Sequence, residues 1–137
     1  MLDTLMLTPT ADAVATATAW LSAICQRDGF PPARSITVGL VLEEALTNVL
    51  QYSFSSLPAD DAAYVRLQLT QEDEKVTLRV TDNGIAFDPT AVQLANRAGD
   101  LDSAEPGGHG IRLMRHYTRR MQYRRLGGVN ELELVLV

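Results

Sequence analysis

At 137 residues the chain is about one ordinary domain long, and a hydrophobic share of 46% supplies enough apolar side chains for a packed core. With 12 Lys+Arg against 17 Asp+Glu, the formal net charge of -5 excludes a generally basic nucleic-acid-binding surface, and the composition excludes a disordered polymer. The single cysteine, Cys25, excludes an internal disulfide and a thiolate zinc site. A reducing compartment suits such a chain, and the cytoplasm is the expected location. Met1 to Pro9 lacks the positive region of a secretory signal, and Ala11 to Cys25 is too short and too interrupted to span a bilayer, so no membrane is expected.

In chain order, a short apolar start from Leu2 to Leu7 precedes Thr10 to Gln26, where Val14, Trp20, Leu21 and Ile24 recur at helical intervals until Asp28-Gly29 stops the pattern. Pro31-Pro32 and Ser35 open a second helix in which Ile36, Leu40, Val41, Leu42, Leu46, Val49 and Leu50 surround embedded polar residues, continuing to about Tyr52. Ser53 to Asp61 reads as a loop. The alternation Val65, Leu67, Leu69, then Val76, Leu78, Val80 predicts two half-buried strands joined by a turn at Glu72 to Lys75. Asp82-Asn83-Gly84 ends that hairpin, a weak helical stretch covers Thr90 to Ala95, and Arg97 to Gly108 reads as a mobile, acidic, Gly/Pro-bearing loop. A third helix is predicted from Gly110 to Arg120, followed by a hairpin of Met121 to Leu126 and Asn130 to Val137 through Gly127-Gly128. With no repeat and no linker, the elements sum to a single α+β domain over 1–137. Its architecture is a two-layer sandwich of about three helices on a mixed, mainly antiparallel sheet.

Familiar templates fail: the chain has no Gly-x-x-x-x-Gly-Lys-[Ser/Thr] loop, no His-Arg-Asp or Asp-Phe-Gly signature and no His-Glu-x-x-His zinc motif. Three other clusters carry chemistry. Glu44 and Asn48 lie four apart and share a helix face, where an amide oxygen suits a hard cation and a carboxylate can act as a base; a solvated helix edge is the simpler reading of this pair alone. Asp82, just past an alternating strand, can accept from an amine, and Gly84 lets backbone approach a planar ligand, although Asp-Asn-Gly is also ordinary turn composition. Gly107-Gly108-His109-Gly110 runs into a helix, whose N-terminal N–H groups and dipole favour phosphate; a flexible connector is the alternative. Order and spacing weigh on the three together: Glu-x-x-x-Asn on a helix, Asp-x-Gly at a strand end, an acidic loop, then Gly-Gly-x-Gly and a helix. Six arginines, Arg112, Arg115, Arg119, Arg120, Arg124 and Arg125, crowd one helix and the next strand, either as a patch for an acidic partner or as a solvated face.

That ordered set resembles the N, G1 and G2 boxes of the GHKL ATP-binding superfamily, which includes gyrase, heat-shock chaperones, mismatch-repair ATPases and histidine kinases. Glu44-Ala45-Leu46-Thr47-Asn48, Asp82-Asn83-Gly84-Ile85-Ala86-Phe87-Asp88-Pro89 and Gly107-Gly108-His109-Gly110-Ile111-Arg112-Leu113-Met114 most resemble the stand-alone anti-sigma-factor serine/threonine kinases of the RsbW type. Tyr123-Arg124-Arg125 and Gly128-Val129-Asn130-Glu131-Leu132 also fit that subfamily, so the match covers nearly the whole chain. The resemblance implies the GHKL (Bergerat) fold, with ATP and Mg as cofactors. It makes Asn48 the magnesium ligand, Glu44 the catalytic base, Asp82 the acceptor for the adenine amine, Gly84 and Ala86 the adenine-side wall, and Gly107, Gly108, His109, Gly110 and Ile111 the phosphate-binding turn. Arg97 to Gly108 becomes the ATP lid.

The implied reaction is γ-phosphoryl transfer to a serine of a small anti-anti-sigma (STAS-domain) protein, with a sigma factor as the alternate partner and a homodimer common among relatives. No direct nucleic-acid partner is implied. The alternative is a nucleotide-binding module that sequesters a sigma factor or other regulator with little transfer chemistry. Two departures stand out. Tyr52 occupies a place where many relatives have a histidine, and Val129 follows Gly128 where many have threonine. The second leaves Asn130 or a water to support Asp82.

Overall fold

The computed structural model describes residues 1–54, 62–92 and 108–136. Strand β1 (Leu2–Leu7) leads into helix α1 (Ala13–Asp28), whose Ala13, Ala17, Leu21 and Ile24 recur every three or four residues and turn one stripe inward. Gly29 ends the helix in the left-handed conformation at φ 65°, with Phe30 N–H bonded back to the Cys25 carbonyl at 2.9 Å, the closure that glycine adopts without steric cost. Helix α2 (Pro32–Asn48) starts on a proline, whose missing N–H would have been unpaired there in any case. It buries Val38, Val41, Leu42, Ala45 and Leu46. Regular winding stops at Asn48 and one wide π-helical turn, Val49–Ser53, follows, so the predicted run to Tyr52 is helical but not uniformly α-helical.

Strands β2 (Val65–Glu72) and β3 (Lys75–Asp82) form the predicted hairpin, and β4 (Thr118–Leu126) and β5 (Val129–Leu136) form the second. Gly127 and Gly128, at φ 59° and 78°, make its two-residue turn, which requires positive φ at both positions. The sheet order is β1-β2-β3-β5-β4, and all four pairings among the described residues are antiparallel, so no parallel component accompanies them. Inward residues of the sheet, among them Val65, Leu67, Leu78, Val80 and Leu134, meet the helices in one apolar core. The architecture is the expected two-layer α+β sandwich.

Three boundaries differ from the sequence reading. Leu2–Leu7 is a strand, paired with β2 from Leu2 opposite Thr70 to Leu7 opposite Val65. Helix α3 spans Gly108–Tyr117 rather than Gly110 to Arg120, because Thr118 already pairs with Leu136 and its hydroxyl bonds the Met114 carbonyl at 2.7 Å, closing the helix. The weak helical stretch at Thr90 reduces to one 3-10 turn, Pro89–Ala91, capped by Asp88, which accepts from Thr90 N–H at 2.8 Å. The rest of that stretch, and the predicted loop from Arg97 up to Gly107, lie outside the described residues.

Candidate functional site

The register of the sheet brings the site together. Asp82, the last residue of β3, stands directly opposite Asn130, the second residue of β5, and both are buried on the helix-facing side. Asp82 Oδ1 accepts two hydrogen bonds, from Gly84 N–H and from Asn130 Nδ2, each 2.9 Å. Burial pushes the Asp82 carboxyl above its usual range, while those two donors, the charge of Arg125 and the Ser53 hydroxyl all act in the opposite direction. Asn130 thus supplies the support that Val129 cannot.

The Asn130 amide is itself fully engaged. Its Nδ2 also donates to the Ile85 carbonyl at 2.8 Å, while its Oδ1 accepts from Tyr123 Oη at 2.5 Å and from Arg125 Nη1 at 2.8 Å. Arg125 Nη1 reaches the Gly84 carbonyl as well, at 3.1 Å. Ser53, Tyr123 and Arg125 were not among the site residues expected from the sequence, because only the folded register brings them to Asp82.

Asp82 and Asn130 border a small cavity of about 20 Å³ floored by Ala45, Val80 and Leu132, with Asn48 on its α2 side. Phe87 forms another wall and stacks on Tyr52, with ring centroids 4.5 Å apart and planes 18° from parallel. Tyr52 is therefore part of an aromatic pair beside the site. The Asn48 side chain is 3% exposed, and its amide nitrogen has no hydrogen-bond partner. A buried amide with unused bonding capacity at a cavity wall suits a polar ligand that completes it.

Gly84 is held by contact rather than by φ. A Cβ at this position would fall onto the Ser53 backbone, with Ser53 Cβ at 2.7 Å, and Ile85 N–H bonds the Ser53 carbonyl at 2.9 Å. The wide turn after Asn48 is thereby pressed against the Asp-Asn-Gly bend. Asn83 faces away and staples the entry to β2, accepting from Tyr64 N–H at 2.9 Å and donating to the Ala62 carbonyl at 2.8 Å. Ala86 is exposed, next to Phe87.

Glu44 is half-buried, and desolvation, followed by the neighbouring charge of Glu43, raises its carboxyl above the usual glutamate range. Its carboxylate occupies the space that a side chain on Gly110 would take, in the first turn of α3. Glu44 and the N-terminal turn of α3 are thus in contact. Ile111 is buried in the core, so only its backbone is available to a ligand. Gly107 and the side chain of His109 lie outside what is described. Among the described residues no group of three or more His, Cys, Asp or Glu side chains could hold a metal on its own.

The arginine cluster is not one patch. Arg115 Nη2 bonds the carbonyls of Thr90 and Val92, at 3.2 and 2.8 Å, and Arg125 turns into the site. Strand alternation sends Arg124 to the opposite face of the sheet, where it pairs with Glu131 at 2.7 Å.

The family model for the histidine kinase-like ATPase domain matches residues 7–136. The chain belongs to this family. The ATPase domain is also 41% identical over 132 residues to a protein of Bordetella bronchiseptica named serine/threonine-protein kinase BtrW, covering 96% of this chain and 91% of that one. The resemblance to stand-alone serine/threonine kinases drawn from the motifs is borne out by that relative. In fold, the domain is similar to the histidine kinase domain of the blue-light-activated histidine kinase EL346 of Erythrobacter litoralis, with a TM-score of 0.56 at 19% identity. That match spans 90% of this chain and 64% of the solved one. Among the described residues no helix is long and apolar enough to cross a membrane.

Proposed function

We propose that this protein is an ATP-dependent serine/threonine protein kinase that acts as an anti-sigma factor in the cytoplasm. It phosphorylates a serine of an anti-anti-sigma STAS-domain protein and alternately holds a sigma factor. The observation that carries this reading is the contact of Glu44 with the N-terminal turn of α3 beside a cavity bounded by Asn48 and Asp82. A base beside the turn that would hold the phosphates and an acceptor placed for the adenine are what phosphoryl transfer from ATP needs.

In this reading Asp82 accepts from the adenine amine, with Gly84 and Ala86 along that side, and the turn from Gly107 to Ile111 directs backbone N–H groups at the phosphates. Asn48 fits a magnesium site completed by ATP: its buried amide is unsatisfied, and turning it over offers the oxygen that a hard cation prefers. Bound magnesium would neutralise charge on the phosphates during transfer. Glu44 takes the proton of the attacking serine hydroxyl, and its raised proton affinity brings it closer to the operating pH. Phosphate on the antagonist adds about −1.5 to −2 charge, enough to break the kinase complex where it meets acidic surface.

The test is transfer of labelled phosphate from ATP to a serine of a purified STAS-domain partner, with the Glu44→Gln variant alongside. Retained ADP binding with lost transfer supports the assignment. Full transfer by the variant removes Glu44 as base, and nucleotide and partner binding without any transfer by wild type favours the sequestering module.

A further inference from the structure

Beyond the residues that would touch a nucleotide, strand β4 sends two side chains back into the site. Arg125 lies directly across from Asn130 in the β4–β5 ladder, and Tyr123 lies across from Leu132, diagonal to Asn130 and within reach of a long side chain. Both donate to Asn130 Oδ1.

This fixes which way the amide faces. With Oδ1 toward Tyr123 and Arg125, both protons of Nδ2 find acceptors, Asp82 Oδ1 and the Ile85 carbonyl. The reversed amide would set its oxygen against a carboxylate and a carbonyl and its NH₂ against a guanidinium, three repulsive contacts in a buried setting. The consequence reaches Asp82. Its Oδ1 already accepts from Gly84 N–H and Asn130 Nδ2, which fills the two acceptor positions of that oxygen; with the Ser53 hydroxyl as the carboxylate's third donor, Oδ2 keeps an acceptor position for a ligand. Arg125 secures the same point from the other side by bonding the Gly84 carbonyl.

We propose that Tyr123 and Arg125 are positioning residues for base selection: acting through Asn130, they hold Asp82 so that Oδ1 is committed to the protein and Oδ2 keeps a position that accepts from an exocyclic amine. A 6-amino purine satisfies that acceptor, whereas a 6-oxo purine sets a carbonyl against it. The inference deepens the kinase reading and rests on it for the identity of the ligand.

The experiment compares magnesium ADP with magnesium IDP, which differ at the 6-position, binding to wild type, Arg125→Met, Tyr123→Phe and Asn130→Leu. Calorimetry gives the affinities and thermal melts confirm that each variant is folded. The expected result is a loss of ADP affinity of roughly tenfold, the scale of one hydrogen bond to a charged group, with IDP affinity changed by less than about twofold. The preference for ADP over IDP then collapses. Equal losses for both nucleotides, or no loss for either, overturn the proposal, because a merely structural role cannot tell the two bases apart.

A wild type that binds neither nucleotide refutes the kinase reading and, with it, base selection. The clamp itself is then read from the Asp82 carboxyl titration followed by NMR. Because the Arg125 charge acts on Asp82 directly, the clamp is read from the neutral variants: Asn130→Leu and Tyr123→Phe raise the midpoint if it operates, and an unchanged midpoint in both overturns the positioning role.

Discussion

Replacing Asp82 with asparagine tests the site with little disturbance to the fold. The substitution is nearly isosteric, and the retained oxygen still accepts from Gly84 N–H and Asn130 Nδ2, the two 2.9 Å bonds that fix the side chain. What changes is the second oxygen, which becomes an NH₂ and, in the proposed site, would meet the adenine amine donor to donor. A hydrogen bond to a charged group is worth about 1.5–3 kcal/mol, so losing it weakens ADP binding by about 10- to 150-fold, and the donor clash places the effect at the upper end.

Stability should move the other way. Because burial raises the Asp82 pKa above its unfolded value of 3.8, its contribution is fully present below that value and is lost as pH rises through the folded-state pKa. Near neutrality wild type therefore carries a buried charge that Asp82→Asn removes. Calorimetric ADP titrations and thermal melts at pH 7.5 should show a variant at least as stable as wild type that binds ADP about 100-fold more weakly. The stability difference should shrink as the pH is lowered through the Asp82 titration. A variant that binds ADP like wild type would refute the placement of Asp82 at the base, and one that is much less stable at neutral pH would refute the account of its burial.

Gly84→Ala should cost about 1–3 kcal/mol in urea denaturation, since the added methyl meets the Ser53 backbone, which cannot swing aside. Gly110→Ala should behave oppositely. The added methyl displaces the Glu44 carboxylate, a movable group, while alanine raises helix propensity by about 0.5–1 kcal/mol, so melts should hold steady or rise as phosphotransfer falls. With Glu44 as the proposed base, the transfer rate should also fall on acidification along a limb whose midpoint lies above the ordinary glutamate value of 4.5, because a base must be ionised to accept a proton and the Glu44 pKa is raised. In Glu44→Gln that limb should disappear from the residual rate–pH profile.

Much of the fold was legible because its core elements repeat cleanly: Val65, Leu67 and Leu69 alternate, as do Leu132, Leu134 and Leu136, and α1 and α2 carry helical stripes between glycine or proline stops. Strand β1 was not legible as a strand. As an edge strand it leaves Leu2 and Met6 each 57% exposed, so its apolar residues do not mark one buried face. The end of α3 was missed because no glycine or proline separates Tyr117 from Thr118; the strand begins where pairing with β5 becomes available.

At the site, Glu44, Asn48, Asp82 and Gly110 were legible as motif members because each cluster is local in sequence. Ser53, Tyr123 and Arg125 were not, since their roles depend on a wide turn and a cross-strand register that no local pattern encodes. The arginine crowd was legible as a charge run, but alternation along β4 divides it between two faces.

Among the described residues strand β4 borders the sheet and pairs on one side, with β5. Edge segments of this kind open locally at lower free energy than the strands they flank, and their amide protons exchange accordingly. Tyr123 and Arg125 give this edge a second attachment, through Asn130 to Asp82, so a ligand seated on Asp82 also resists the opening of β4. For ligand at 100 times its dissociation constant, linkage gives about 2.7 kcal/mol, equivalent to roughly 100-fold slower exchange for any opening that abolishes binding. Amides from Tyr123 to Leu126 would then report occupancy of a cavity on the helix-facing side of the sheet, whereas the β2–β3 turn around Lys75, at the far end of β3, would exchange at the same rate with and without ligand.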